Sequence, residues 1–151
     1  MTTTMTMMIT KTKMVISKLR KSLSKSLILT AWFALNPVPA SRPRVTRWGT
    51  YYSKTYKNWM TEAEQFVPTA DEIIDRPVIV LQEHIVKKAR TSKLILPNGD
   101  VDNYAKASLD ALTKGKTVWT DDKIVKGLFT YKRFAEEAEE PGTLVQIYEG
   151  D

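Results

Sequence analysis

Leu27-Ile28-Leu29-Thr30-Ala31-Trp32-Phe33-Ala34-Leu35 is the stretch on which the reading of the fold turns. Lys18, Arg20, Lys21 and Lys25 precede it and Val38-Pro39-Ala40 follows, an order that imitates the basic, apolar and small-residue regions of a secretory signal peptide. The run is too short to cross a bilayer as a helix. Its aromatic and branched residues, closed by Asn36-Pro37, equally describe a buried strand. Cleavage after Ala40 would remove the first strand of the domain, so the strand is the reading we carry forward.

Outward from this stretch, composition narrows the classes. A chain of 151 residues with 42% hydrophobic and 26% charged content fits one globular domain. It has no cysteine, which excludes disulfides, cysteine-ligated zinc and a cysteine nucleophile. The single histidine, His84, excludes a multi-histidine metal site within one subunit, so a metal must rest on oxygen ligands. Residues 1–25 are rich in Met, Thr, Lys and Ser, and Met5, Met7, Met8 and Met14 are alternative starts. They read as a disordered basic extension with slight helical potential around Met14–Ser24, which leaves 26–151 as the folded domain.

Charge is unevenly spread. Residues 1–61 hold 11 Lys/Arg and no acid, whereas residues 62–151 hold 12 Lys/Arg against all 17 acids, a net of −5. A basic half beside a carboxylate cluster suits a polyanion held against a metal site; a solvated basic tail is the plainer reading of residues 1–25. Asn36–Arg44 is a proline-stiffened basic loop. Arg47, Trp48, Tyr51, Tyr52, Lys54, Tyr56, Lys57 and Trp59 interleave cations with aromatic rings, a pattern that suits phosphates and unstacked bases.

Spacing predicts a helix over Lys54–Phe66, with Tyr56, Trp59, Met60, Ala63 and Phe66 as core. A strand follows over Pro77–Val86, in which His84 is structural. Lys87, Lys88, Arg90 and Lys93 form a basic excursion suited to a backbone phosphate. A second helix is predicted over Asn103–Lys114, with Asp102 or Asn103 as N-cap and Gly115 as its stop. Strands over Ile124–Phe134, bulged at Gly127, and Thr143–Tyr148 complete the chain. The fold class is therefore mixed α/β (α+β): a single domain with a small mixed sheet, flanked by two main helices.

The chemistry concentrates in Asp100-Val101-Asp102-Asn103-Tyr104-Ala105-Lys106 and in Asp121-Asp122. Aspartates two apart in an extended segment face the same side and can share Mg²⁺, which prefers oxygen ligands. Asp100, Asp102 and Asp122 are the candidate metal ligands. Lys106 is placed to neutralise charge developing on a phosphate, or to pair with Asp102 or Asp110.

Asp100-Val101-Asp102-Asn103, Lys106-Ala107, Asp110-Ala111-Leu112 and Trp119-x-Asp121-Asp122-x-x-Val125 resemble the RusA family of Holliday junction resolvases, over roughly residues 26–149. Asn36-Pro37-Val38-Pro39, Arg42-Pro43-Arg44, the Tyr51–Trp59 segment and the Pro141-Gly142 turn are also similar to that family. The resemblance implies a homodimer that binds four-way DNA junctions and nicks two strands symmetrically with Mg²⁺ or Mn²⁺. It implies that Asp100, Asp102, Lys106 and Asp122 are the essential residues, with Asp110 and Asp121 in supporting positions. Asn98-Gly99 stands where some relatives carry a denser basic run. Arg42, Arg44, Arg47, Lys54, Lys87, Lys88 and Arg90 are the candidate DNA contacts. A resolvase works in the cytoplasm of a cell or an infected host, which also favours the strand reading of Leu27–Leu35. Two other functions fit the same residues: a junction-binding protein with little catalysis, and a metal-dependent nucleotide phosphohydrolase.

Overall fold

The computed structural model describes residues 3–23, 26–41, 44–51 and 53–150. Helices α1 (Thr3–Leu23), α2 (Lys54–Ala63) and α3 (Val101–Lys114) accompany strands β1 (Leu27–Phe33), β2 (Arg44–Thr46), β3 (Gly49–Tyr51), β4 (Val78–Val86), β5 (Val125–Phe134) and β6 (Gly142–Glu149). Four strands form one mixed sheet in the order β1-β6-β4-β5, and β2-β3 form a separate hairpin. β1 and β4 each run antiparallel to β6, whereas β4 and β5 are parallel. A parallel pair needs a long crossover, and α3 lies on it. The α+β fold and the strand at Leu27 are as the sequence predicts.

The alternation of β4 sets the layers. Val78 and Val80 point into the main core with Phe33, Trp59, Ala107, Leu112, Trp119, Val145 and Ile147. On the other face Leu81 and Tyr148 meet Ile16 of α1, with Leu19 and Leu23 beside them. β4 is thus covered on both faces, by α2 and α3 in front and by α1 behind. The register slips between Val78 and Ile79 opposite Val125 and Gly127, which is the bulge expected at Gly127.

Three sequence expectations change. Residues Thr3–Leu23 are helical rather than disordered. The reason is physical: the back face of β4 is apolar, and α1 buries Ile16 to 1% exposure against it. Arg20 ties the helix down, donating to Glu83 Oε2 at 2.9 Å and to Gln146 Oε1 at 2.8 Å. Second, part of the basic–aromatic loop is the β2-β3 hairpin, whose strands are too short for periodicity to reveal. Third, α3 starts at Val101, with Asp100 as its N-cap. Among the described residues no helix is long and apolar enough to cross a membrane.

Candidate active site

The site is built on the N-terminal half of α3. Asp100 is extended (φ −79°, ψ 142°) and Asp102 lies in the first helical turn. The two carboxylates therefore flank the start of a helix rather than share one side of a strand, which corrects the extended-segment argument. A helix N-terminus favours negative side chains. Both residues are exposed, and neither carboxylate has an ion-pair or hydrogen-bond partner among the described residues.

The loop that delivers Asp100 is fastened on three sides. Tyr104 Oη donates to the Asn98 carbonyl at 2.6 Å. Lys132 Nζ donates to the Pro97 carbonyl at 2.7 Å and also to that of Gly99. Ala40 N donates to the Asn103 carbonyl at 2.9 Å, docking the proline loop against α3. Gly99 has φ +96°, and a Cβ there would stand 3.1 Å from Pro39 Cγ, so both backbone and space call for glycine.

Beneath α3 lies a buried polar layer. Gln82 Nε2 donates to Ser108 Oγ at 2.8 Å. His84 Nε2 lies 2.9 Å from Thr130 Oγ1, its Nδ1 lies 3.4 Å from Thr143 Oγ1, and its ring centroid is 5.7 Å from that of Tyr104. Burial pushes His84 down to about 4, so it is neutral at pH 7 and supports α3 rather than exchanging protons there.

Lys106 and Asp110 continue the outer face of α3, one and two turns beyond Asp102. Lys106 Nζ is 3.4 Å from Asp110 Oδ2, and Tyr56 Oη donates to the same oxygen at 3.1 Å. Asp122 opens a short 3₁₀ turn whose N-cap, Asp121, accepts from Lys123 N at 2.9 Å. Partial burial raises the Asp122 carboxyl above its usual range. The charges of Asp110 and Asp121 and a hydrogen bond with Asp121 raise it further, against the opposing pull of Lys106.

The structure thus brings Asp122 together with Asp110, Asp121 and Lys106, and sets Asp100 and Asp102 at the head of the same helix. Among the described residues no three acidic or histidine side chains are gathered as a metal-holding group. The donor chemistry nevertheless fits a hard divalent cation. Every candidate ligand is a carboxylate, Asp100 and Asp102 have no counter-ion among the described residues, and partial burial, followed by the charges of Asp110 and Asp121, raises the Asp122 carboxyl above its usual range.

Tyr56, which the sequence reading placed in the basic–aromatic pattern and in the helix core, reaches the candidate site through its hydroxyl. Its ring is buried at 6% exposure while its hydroxyl reaches Asp110. A tyrosine, rather than a phenylalanine, on an apolar helix face was the available signal. Of the candidate DNA contacts, Arg47, Lys54, Lys87, Lys88 and Arg90 are exposed. Lys87 and Lys88 border a cleft with Glu136, Glu137, Glu139 and Glu140, whose charges oppose theirs. Arg42 and the side chain of Arg44 lie outside the described residues.

A family model described as Endodeoxyribonuclease RusA matches residues 34–148. The chain belongs to the RusA endodeoxyribonuclease family. The match takes in the hairpin, the polar layer beneath α3, the Asp100–Asp110 face and the Asp121-Asp122 turn. Helix α1, and β1 from Leu27 to Phe33, lie outside it. No curated protein matches the chain.

Proposed function

We propose that this chain is a Mg²⁺-dependent endodeoxyribonuclease that resolves four-way DNA junctions, working as a homodimer that makes two symmetric nicks. The observation that carries this reading is the RusA family match across a helix face whose two leading carboxylates have no counter-ion among the described residues. Two paired cuts on a junction of approximate two-fold symmetry call for two active sites, hence the dimer.

Asp100, Asp102 and Asp122 would hold the ion. Bound there, Mg²⁺ (or Mn²⁺) supplies charge neutralisation at the scissile phosphate and a water of lowered pKa. Lys106 is 64% exposed and only loosely paired with Asp110, so its ammonium is free to turn toward a non-bridging phosphate oxygen. Asp110, steadied by Tyr56, holds Lys106 on the outer face of α3 until DNA arrives. Water attacks phosphorus, the bond to the 3′ oxygen breaks, and the products are a 5′-phosphate and a 3′-hydroxyl. The basic residues 42–57 would track the backbone, which makes affinity fall steeply with salt.

The test is cleavage of an end-labelled four-way junction beside a linear duplex, in Mg²⁺ and in EDTA. The expected result is paired nicks near the crossover that vanish in EDTA and in Asp102→Asn. Tight junction binding with no nicks would instead identify a junction-binding protein. Phosphate release from mononucleotides would identify a phosphohydrolase.

A further inference from the structure

Trp48 stands at the tip of the β2-β3 hairpin and is 85% exposed, with Val45 beside it at 80%. Single exposed apolar residues are ordinary. This one differs in being held out. Trp48 N donates to Thr46 Oγ1 at 3.2 Å, and Thr46 Oγ1 donates to the Gly49 carbonyl at 3.2 Å, which locks the turn. The Arg47 guanidinium lies over the indole, 4.9 Å from its centroid, leaving the rest of the ring to solvent.

Ser41 and Ser53, on either side of the hairpin in sequence, belong to segments fastened to α2 and α3. On one side, Ala40 N bonds Asn103 of α3, and Ser41 Oγ accepts from Ser53 N at 3.4 Å. On the other, Ser53 caps α2 by accepting from Tyr56 N at 3.3 Å, and Tyr56 bonds Asp110. The residues that flank the hairpin in sequence are therefore hydrogen-bonded toward the candidate active site. Residues 42–57 carry five Lys/Arg and no acid, so the surroundings complement a polyanion.

We propose that Trp48 is a base-stacking residue: its open face receives an unpaired nucleobase at the branch point, while Arg47 engages the adjoining phosphate. Aromatic faces stack on any base, whereas a continuous duplex offers no open base face. The hairpin would therefore select branched over linear DNA without reading sequence. This inference rests on the junction-cleaving reading for its biological setting, but the stacking site itself can be tested apart from it.

The probes are a four-way junction and a single-stranded oligonucleotide, each carrying 5-iododeoxyuridine, bound to the full-length Asp102→Asn chain. Long-wave ultraviolet light cross-links iodouracil to a stacked aromatic ring. The cross-link is expected at Trp48, retained in Trp48→Phe and lost in Trp48→Ala. Junction affinity should fall about ten-fold in Trp48→Ala, with linear duplex binding unchanged. A cross-link to Trp48 on the single strand alone would overturn the branch-point assignment and leave a ring that stacks only on single strands. Unchanged junction affinity in Trp48→Ala, or cross-links mapping elsewhere on both probes, would overturn the proposal. Because Trp48 is so exposed, matching thermal melts for the three proteins are expected to accompany any outcome.

Discussion

Acid should weaken this fold well above the range where its carboxylates titrate, and His84 is the reason. The ring is buried beneath α3 at 1% exposure, which brings its pKa to about 4 from the ordinary imidazole value of 6.5. The unfolded chain therefore binds a proton more readily than the folded one between these values, so stability is lost as pH falls through 6.5. The difference corresponds to about 3 kcal/mol, accumulating at about 1.4 kcal/mol per pH unit and complete near pH 4. Glu83 and Glu139 act in a lower window. Burial works to raise Glu83, but hydrogen bonds from Tyr131, Arg20 and Arg133 outweigh it, and Arg133 chiefly holds Glu139 down. Their stabilisation is present above about 4.5 and is lost only below it. The raised Asp122 contributes the opposite slope, but it is partly exposed and common to both proteins compared. Urea unfolding of the parent and His84→Gln at several pH values from 7 to 4.5 is the assay. The variant should lose a fixed increment from imperfect replacement of the contacts to Thr130 and Thr143, while the parent should lose about 2–3 kcal/mol more on acidification. Parallel pH profiles for the two proteins would refute the argument, as would a parent that gains stability toward pH 5.

Other outcomes follow from the same coordinates. Arg133→Met leaves Glu83 and Glu139 facing each other without the guanidinium that bonds both at 2.6–2.8 Å, and should cost about 3–5 kcal/mol in denaturant unfolding. Gly142→Ala places a Cβ 2.3 Å from the Trp32 ring and 2.8 Å from the Phe33 carbonyl, and should lower stability by about 1–3 kcal/mol by the same measurement. Deleting residues 1–23 uncovers Leu81 and Tyr148 and should lower Tm and promote association visible by light scattering; an unchanged Tm would mean α1 contributes no cover. Tyr56→Phe should keep the core but release Asp110, so junction cleavage is expected to fall several-fold with little change in Tm.

The main strands and helices α2 and α3 were legible because each carries its own period and stop signal. Leu27–Phe33 ends at Asn36-Pro37, and α3 ends at Gly115. Helix α1 was not legible, because its fate depends on a surface created elsewhere. Nothing within Thr3–Leu23 announces that β4 will leave Ile79, Leu81 and Glu83 on a face in need of covering. Glu83 makes the point sharply: it stands between Gln82 and His84 in an otherwise apolar strand, and its cations, Arg20 and Arg133, arrive from α1 and β5. The proximity of Asp122 to Asp110 and Lys106 was likewise a tertiary matter, since the irregular connection over residues 115–121 could end anywhere around the helix.

The way these acids are compensated separates architecture from chemistry. Behind the sheet, Glu83 and Glu139 meet Arg20 and Arg133 at hydrogen-bonding distance, so their charge is used up in holding α1 and the β5 end together. In front, Asp110 has Tyr56 and Lys106, whereas Asp100 and Asp102 have no such partner among the described residues and Asp122 is pressed toward its neutral form by partial burial and then by the charges of Asp110 and Asp121. Unpaired surface acids are common and mean little alone. What distinguishes these is the structure assembled to hold them. A glycine with positive φ, a lysine and a tyrosine gripping the loop from within, a proline loop fastened from the side and a buried polar layer below all converge on the first turn of α3. Such convergence costs stability through the desolvation of Gln82, His84 and Ser108. A fold that needed only to bury β4 could place apolar residues there, so exchanging Gln82 and Ser108 for Met and Ala should leave the chain folded while loosening Asp100 and Asp102. Undiminished junction cleavage by that double variant would mean the polar layer serves packing alone.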